Sequence, residues 1–226
     1  MKPILKSRRG ETLIEVLVAI IILVVGALSA VKLLGLASIN SQLTKERVIA
    51  TNLSREGLEA VRNIRDTNWL RFGGERRLCW NNIDVSECVD TDDGDGVTDD
   101  PIVHEQNYIV KFDTGTFRWE LEEVSTGELD LSDELADNTA YRLETGSNGL
   151  YNHIDDTPDD PADDTIYFRQ IYTEYLNDDQ TQDATTNASN NILRVTSKVE
   201  WMDRGRISDV TLTTILTDYL GRKNHD

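Results

Sequence analysis

Hydrophobic and polar positions divide the chain into three regimes. From Thr12 to Val31, twenty residues carry a single charge, Glu15. At 1.5 Å per residue that run makes a helix of about 30 Å, one hydrocarbon thickness, so the spacing predicts a membrane span. The helical period then continues through SQLTKERVIATNLSREGLEAVRNIRDTNWL, where Leu43, Ala50, Leu53, Gly57, Val61 and Ile64 recur at three, four or seven residues. Lys45, Arg47, Arg55, Glu59 and Arg62 fall mainly on other faces, and no proline lies between Pro3 and Pro101. The pattern therefore predicts one helix from about Thr12 to Asp66, its first half in a membrane and its second half packed on a sheet, with Gly57 marking close sheet contact.

The third regime carries strand signals. NYIVKF (107–112) and TFRWEL (116–121) flank an Asp-Thr-Gly turn and read as a hairpin. AYRLE and TIYFRQIYTEY follow, then NILRVTSKVEWM and RISDVTLTTILTDYL, joined through Asp203, Arg204 and Gly205. Ile192, Val195, Ser197, Val199 and Trp201 do not alternate perfectly, which predicts a bulge or burial on both faces. A long helix against antiparallel strands is an α+β architecture.

What stands before the apolar run changes the picture. Lys2, Lys6, Arg8 and Arg9 precede it, and positive charge stays cytoplasmic, so the N-terminus is expected inside and the bulk of the chain outside. A cleaved secretory signal has a shorter apolar core, about 7 to 15 residues, and then a small-residue site. Here the run passes through Lys32 into LLGLASI with no turn signal. A carboxylate inside a span costs about 2.5 to 3.5 kcal/mol on insertion scales and normally marks function, and a plain anchor gives Glu15 none.

The basic leader ending in Gly10, followed by ETLIEVLVAIIILVV, resembles the N-terminus of type IV pilins and pseudopilins. The resemblance covers residues 6 to 37 strongly and the following helix weakly. It implies that a prepilin peptidase cuts after Gly10, that Glu11 becomes the N-methylated first residue, and that Glu15, the fifth, pairs with a terminal amine during assembly. A charge expensive in lipid is tolerated once paired inside a protein bundle. The implied partners are other pilin subunits, the peptidase, a membrane assembly platform and, before assembly, lipid. Glu11 stands where the family favours an aromatic residue, and the helix-kinking proline is replaced by Lys32, which can snorkel to the outer interface. The resulting organisation is a leader (1–10), a transmembrane or filament-core helix (11–39) and an exported globular domain (40–226).

Charge fits that organisation. The chain holds 23 basic and 41 acidic residues, a net of −18, and about −22 without the four leader cations. Such a surface disfavours DNA phosphates, so nucleic acid is not an expected partner. Cys79 and Cys88 are the only cysteines, and in an oxidising compartment they are expected to form a disulfide rather than a metal pair or free thiols.

The next stretch, VDTDDGDGVTDDP (89–101), resembles the aspartate-glycine calcium loops of EF-hand-like and thrombospondin-type repeats. Setting Gly96 at the required glycine puts Asp93, Asp95 and Asp99 on ligand positions, with Val97 offering its carbonyl. Thr91 and Ile102 stand where that motif has its first aspartate and closing glutamate, so a solvated acidic loop is the competing reading. A second acidic run, 155–164, has prolines and no glycine and reads as an extended loop.

Catalysis finds no motif: GxSxG, HExxH and phosphate-binding glycine loops are absent from the sequence, and His104, His153 and His225 are scattered and read as surface residues. No cofactor is required, calcium being the one candidate. The expectation is a structural filament subunit, a minor pilin or pseudopilin. The alternative is an adhesive or calcium-binding module shown at a filament tip or on the membrane.

Overall fold

The computed structural model describes residues 11–72, 79–83, 101–133, 136–146, 151–153, 164–176 and 192–218. One helix, α1, runs from Glu11 to Arg71, five residues past the expected end. Arg71 lies in its last turn, where a cation suits the helix dipole. By its contacts the chain divides into two compact units, the first ending at Arg47 and the second beginning at Val48.

Among the described residues of the second unit, seven antiparallel strands form one sheet. They are β1 (Gln106–Asp113), β2 (Arg118–Glu123), β3 (Arg142–Thr145), β4 (Tyr151–His153), β5 (Asp164–Tyr175), β6 (Ile192–Asp203) and β7 (Arg206–Thr217). β5 is the hub. One edge pairs with β6 along nine residues, Tyr167↔Trp201 to Tyr175↔Leu193. Its other edge is shared: β1 takes the C-terminal part at Ile171 to Thr173, and β3 takes the N-terminal part at Asp164 to Phe168, with a register shift. Two hairpins, β1–β2 and β3–β4, thus fork from one edge of a single strand.

The segment Val48–Arg71 of α1 lies on the sheet because its apolar spacing fits. Leu58, Val61 and Ile64 join Tyr108, Val110, Ile171, Leu193, Val195 and Leu216 in the main core, and Ala50 and Leu53 meet Leu143, Tyr167, Val199 and Trp201. Gly57 sits at the closest approach: a Cβ there would stand 2.8 Å from Ile171 Cδ1 and 2.8 Å from Ser197 Oγ. Leu43, expected on the same face, belongs to the first unit and is 40 % exposed.

β6 has no bulge, since its ladders with β5 and β7 keep constant register. Leu193, Val195, Ser197, Val199 and Trp201 face the helix in strict alternation, while Glu200 is buried on the opposite face. There the Glu200 carboxylate accepts the Leu131 N–H at 2.8 Å and pairs with Lys198 at 3.0 Å, and Lys198 Nζ donates to Leu129 O. The segment around Leu129 covers that face, with Ile109, Val124, Tyr141 and Phe168 packed beneath it. Burial on both sides is therefore what disturbs the pattern.

Both expected hairpins form. The β6–β7 turn has φ of 51° at Arg204 and 75° at Gly205, the paired left-handed conformation of a type I′ turn. The β1–β2 turn is longer than the Asp-Thr-Gly expected, and β2 starts at Arg118 rather than Thr116. Asp113 causes this: its carboxylate accepts the Gly115 N–H at 2.7 Å, the Thr116 N–H and the Thr116 hydroxyl. Those bonds, the Thr116 hydroxyl first, lower the Asp113 pKa.

Candidate functional site

The first unit presents the candidate site. Among its described residues, every large apolar side chain from Leu13 to Leu36 is at least 47 % exposed, with Leu23 and Leu34 both at 71 %. The apolar residues occupy the whole circumference of the helix rather than one stripe. A helix of that kind is stable only when surrounded by lipid or by other helices. The helix is long and apolar enough to cross a membrane. Within the apolar run Ser29 donates to Val25 O at 2.8 Å, so that hydroxyl is not stranded in an apolar medium.

Glu15 interrupts this surface as an exposed carboxylate. It lies one turn along from Glu11 on the same face of α1. A Cβ added at Gly26 or Gly35 would meet nothing within 4 Å, so the subunit's own packing does not require glycine at either position. Small residues on an apolar helix let a neighbouring backbone approach closely.

Gly10 and the leader lie outside the described residues, as do the side chain of Glu11, Cys88, the loop with Asp93, Asp95, Val97 and Asp99, and the acidic run from 155 to 163. Cys79 is wholly buried beside Trp80. Among the described residues no group of three or more His, Cys, Asp or Glu side chains has the geometry of a metal site.

Two histidines read as surface residues are not. His153 is 2 % exposed in β4, and its pKa is held well below the usual value, by burial first and then by the positive charge of Arg169. His104 accepts the Tyr175 N–H at 2.9 Å. Sequence reasoning also missed Arg169, fully buried at the fork in β5. Its guanidinium donates to Leu53 O at 3.3 Å, Glu56 Oε1 at 3.0 Å and Val110 O at 3.2 Å, tying α1, β5 and β1 together. Nothing marked it in advance, because an alternating polar position in a strand normally faces water.

No curated protein and no solved structure matches the chain. Residues 5–31 match the family model described as the prokaryotic N-terminal methylation motif. The chain thus carries the prepilin-type signal of type IV pilins and pseudopilins, on the helix whose described apolar side chains from Leu13 to Leu36 are all exposed.

Proposed function

We propose that this chain is a structural, non-catalytic subunit, a minor pilin or pseudopilin, of a type IV pilus-like or type II secretion-like filament. The observation that carries the reading is the coincidence of the methylation motif at residues 5–31 with a helix that is apolar all round and broken by one carboxylate. Before assembly the helix spans the cytoplasmic membrane with its N-terminus inside, as the leader cations direct. Prepilin peptidase removes the leader after Gly10, and Glu11 becomes the methylated first residue. An assembly platform then moves the subunit from lipid into a bundle of like helices, where Glu15 meets a terminal amine. A bridge from Cys79 to Cys88 closes a loop in the exported domain; that Cys79 is not a free thiol supports it.

Mass spectrometry of the mature N-terminus tests the processing step. Co-expression with a prepilin peptidase shortens the chain by ten residues and adds a methyl group, and Gly10→Val blocks both. A mature terminus beyond Val31 would overturn the reading. Glu15→Val separates assembly from processing: leader removal and insertion persist while incorporation into filaments falls, insertion being eased by loss of the charge.

A further inference from the structure

The fork of the two hairpins encloses a cleft that the filament role does not use. It has a volume of about 280 Å³ and lies wholly within the second unit. Phe112 from β1, Trp119 from β2 and Tyr151 from β4 supply aromatic walls, and Glu56, Thr114 and Asn152 supply the polar atoms. Phe112 and Trp119 meet edge to face at 5.1 Å between centroids, while Tyr151 is braced by Tyr167 at 6.2 Å, so both walls are held by neighbouring rings. Ligand pockets share this composition: mostly apolar lining with a few placed polar groups, from about 300 Å³ upward. The cleft suits one small ring.

The state of the polar groups decides which ring. Glu56 is already neutralised, because Arg169 Nη1 holds its Oε1 at 3.0 Å. With that pair made, Glu56 brings no net negative charge to the cleft while its other oxygen can still accept a hydrogen bond, which argues against an ammonium ligand despite the aromatic walls. Asn152 Oδ1 accepts the Phe112 N–H at 3.4 Å, which leaves its amide N–H2 as a donor. The Thr114 hydroxyl, exposed at the rim, both donates and accepts. A purely apolar ligand would leave the Asn152 amide N–H2 without an acceptor. An anion would find no accessible cation there among the described residues, since Arg169 is fully buried and engaged with Leu53 O, Glu56 and Val110 O.

We propose that this cleft binds a neutral pyranose: the C–H face of the sugar lies on the aromatic wall, and its hydroxyls donate to Glu56 Oε2 and accept from Asn152 Nδ2, with Thr114 at the rim. The site is independent of the filament reading, since every group in it belongs to the globular unit. Free hexoses and the terminal residue of a glycan share the chemistry. They differ at the anomeric oxygen, which is blocked in a glycan.

The test is saturation-transfer NMR on the full chain in an amine-oxide detergent, because sugar-headed detergents would occupy the site. Probes are glucose, galactose and mannose, each free and as the methyl glycoside, with tetramethylammonium as the cationic comparison. At least one pyranose should bind, with transfer concentrated on the protons of one ring face. Binding of the methyl glycoside identifies a glycan end as an acceptable source, and binding of the free sugar alone identifies free hexose. Trp119→Ala should weaken binding about tenfold, as expected for loss of an aromatic contact. Thr114→Val, an exposed turn position that leaves the fold intact, should weaken it several-fold, and Glu120→Ala, on the opposite face of β2, should leave it unchanged. No pyranose signal, tetramethylammonium binding in place of sugar, or a signal indifferent to both Trp119→Ala and Thr114→Val overturns the proposal.

Discussion

Gly57→Ala measures how closely α1 approaches the sheet. In an ordinary helix the change stabilises by about 1 kcal/mol, since glycine is the poorer helix former. Here the new Cβ would stand 2.8 Å from both Ile171 Cδ1 and Ser197 Oγ, with Arg169 Cδ at 3.3 Å. Carbon atoms pack best at about 3.5 to 4.0 Å, so two contacts are deep in the repulsive range. Both neighbours are wholly buried and have little room to retreat. Overpacking of this kind costs about 1 to 3 kcal/mol. Taking about 2 against the propensity gain leaves a net loss of about 1 kcal/mol, or about 2 to 4 °C in Tm for a domain of this size. Thermal unfolding followed by near-ultraviolet circular dichroism reports on the second unit through Trp69, Trp80 and Trp201, all buried there. In a background carrying Ile171→Val and Ser197→Ala, which delete the two obstructing atoms, Gly57→Ala should become stabilising. The coupling is then about 2 kcal/mol. A Gly57→Ala protein that melts at or above its parent, or the same shift in both backgrounds, would refute the close approach.

His153 is buried neutral, so the unfolded chain binds a proton there that the folded chain refuses. Stability should therefore be full above about pH 6.5 and fall by about 1.4 kcal/mol per unit as pH drops toward 5; a urea titration series should show that slope, and His153→Leu should flatten it. Glu56→Ala leaves the Arg169 guanidinium without its counter-charge and should cost about 3 kcal/mol in chemical denaturation, whereas Glu56→Leu combined with Arg169→Met should recover most of that loss. If the loop with Asp93, Asp95 and Asp99 binds calcium, the chain should melt higher in calcium than in chelator, by up to about 2.7 kcal/mol of stability at a hundredfold excess over Kd, and Asp93→Ala with Asp95→Ala should abolish the difference. Identical melting curves would make it a solvated acidic turn. Reduction of the proposed Cys79–Cys88 bridge should cost about 2 to 3 kcal/mol by the same measurement.

Elements that answer to local rules were legible in the sequence. The apolar run with Glu15, the helical stripe from Ala50 to Ile64 and the Arg204-Gly205 hairpin each follow from residues within a few positions of one another. The fork in β5 was not, because nothing local tells β1 and β3 to share one edge. β4 is three residues long, too short for a period to show. Asp113 displaced the start of β2 through side-chain bonds that a turn motif does not encode. The aromatic cleft draws Glu56, Phe112, Trp119 and Tyr151 from three separate parts of the chain, and only long-range pairing brings them together. His153 looked exposed because polar loop residues lie beside it in sequence; the pairing of β4 with β3 that buries it is not written there.

The bond from Ser54 Oγ to Ser197 O spans 143 positions of sequence, that from Arg169 to Leu53 O spans 116, and that from Arg62 to Thr214 spans 152. The helix is made first, and β5, β6 and β7, which carry much of the surface that receives it, are made last. At about 5 to 20 residues per second, β5 emerges on the order of 5 to 20 s after Arg71 has left the ribosome. Throughout that interval the apolar face of Val48–Arg71 lacks Ile171, Leu193, Val195 and Val199, the centre of its cover, and the high contact order slows closure further once those strands arrive. Nascent chains ending before Asp164 should accordingly be cut by protease throughout Val48–Arg71, while chains reaching Thr217 should resist. If the chain is exported as proposed, the helix face waits uncovered for its late strands, and translocation sets how much of that wait is spent on each side of the membrane.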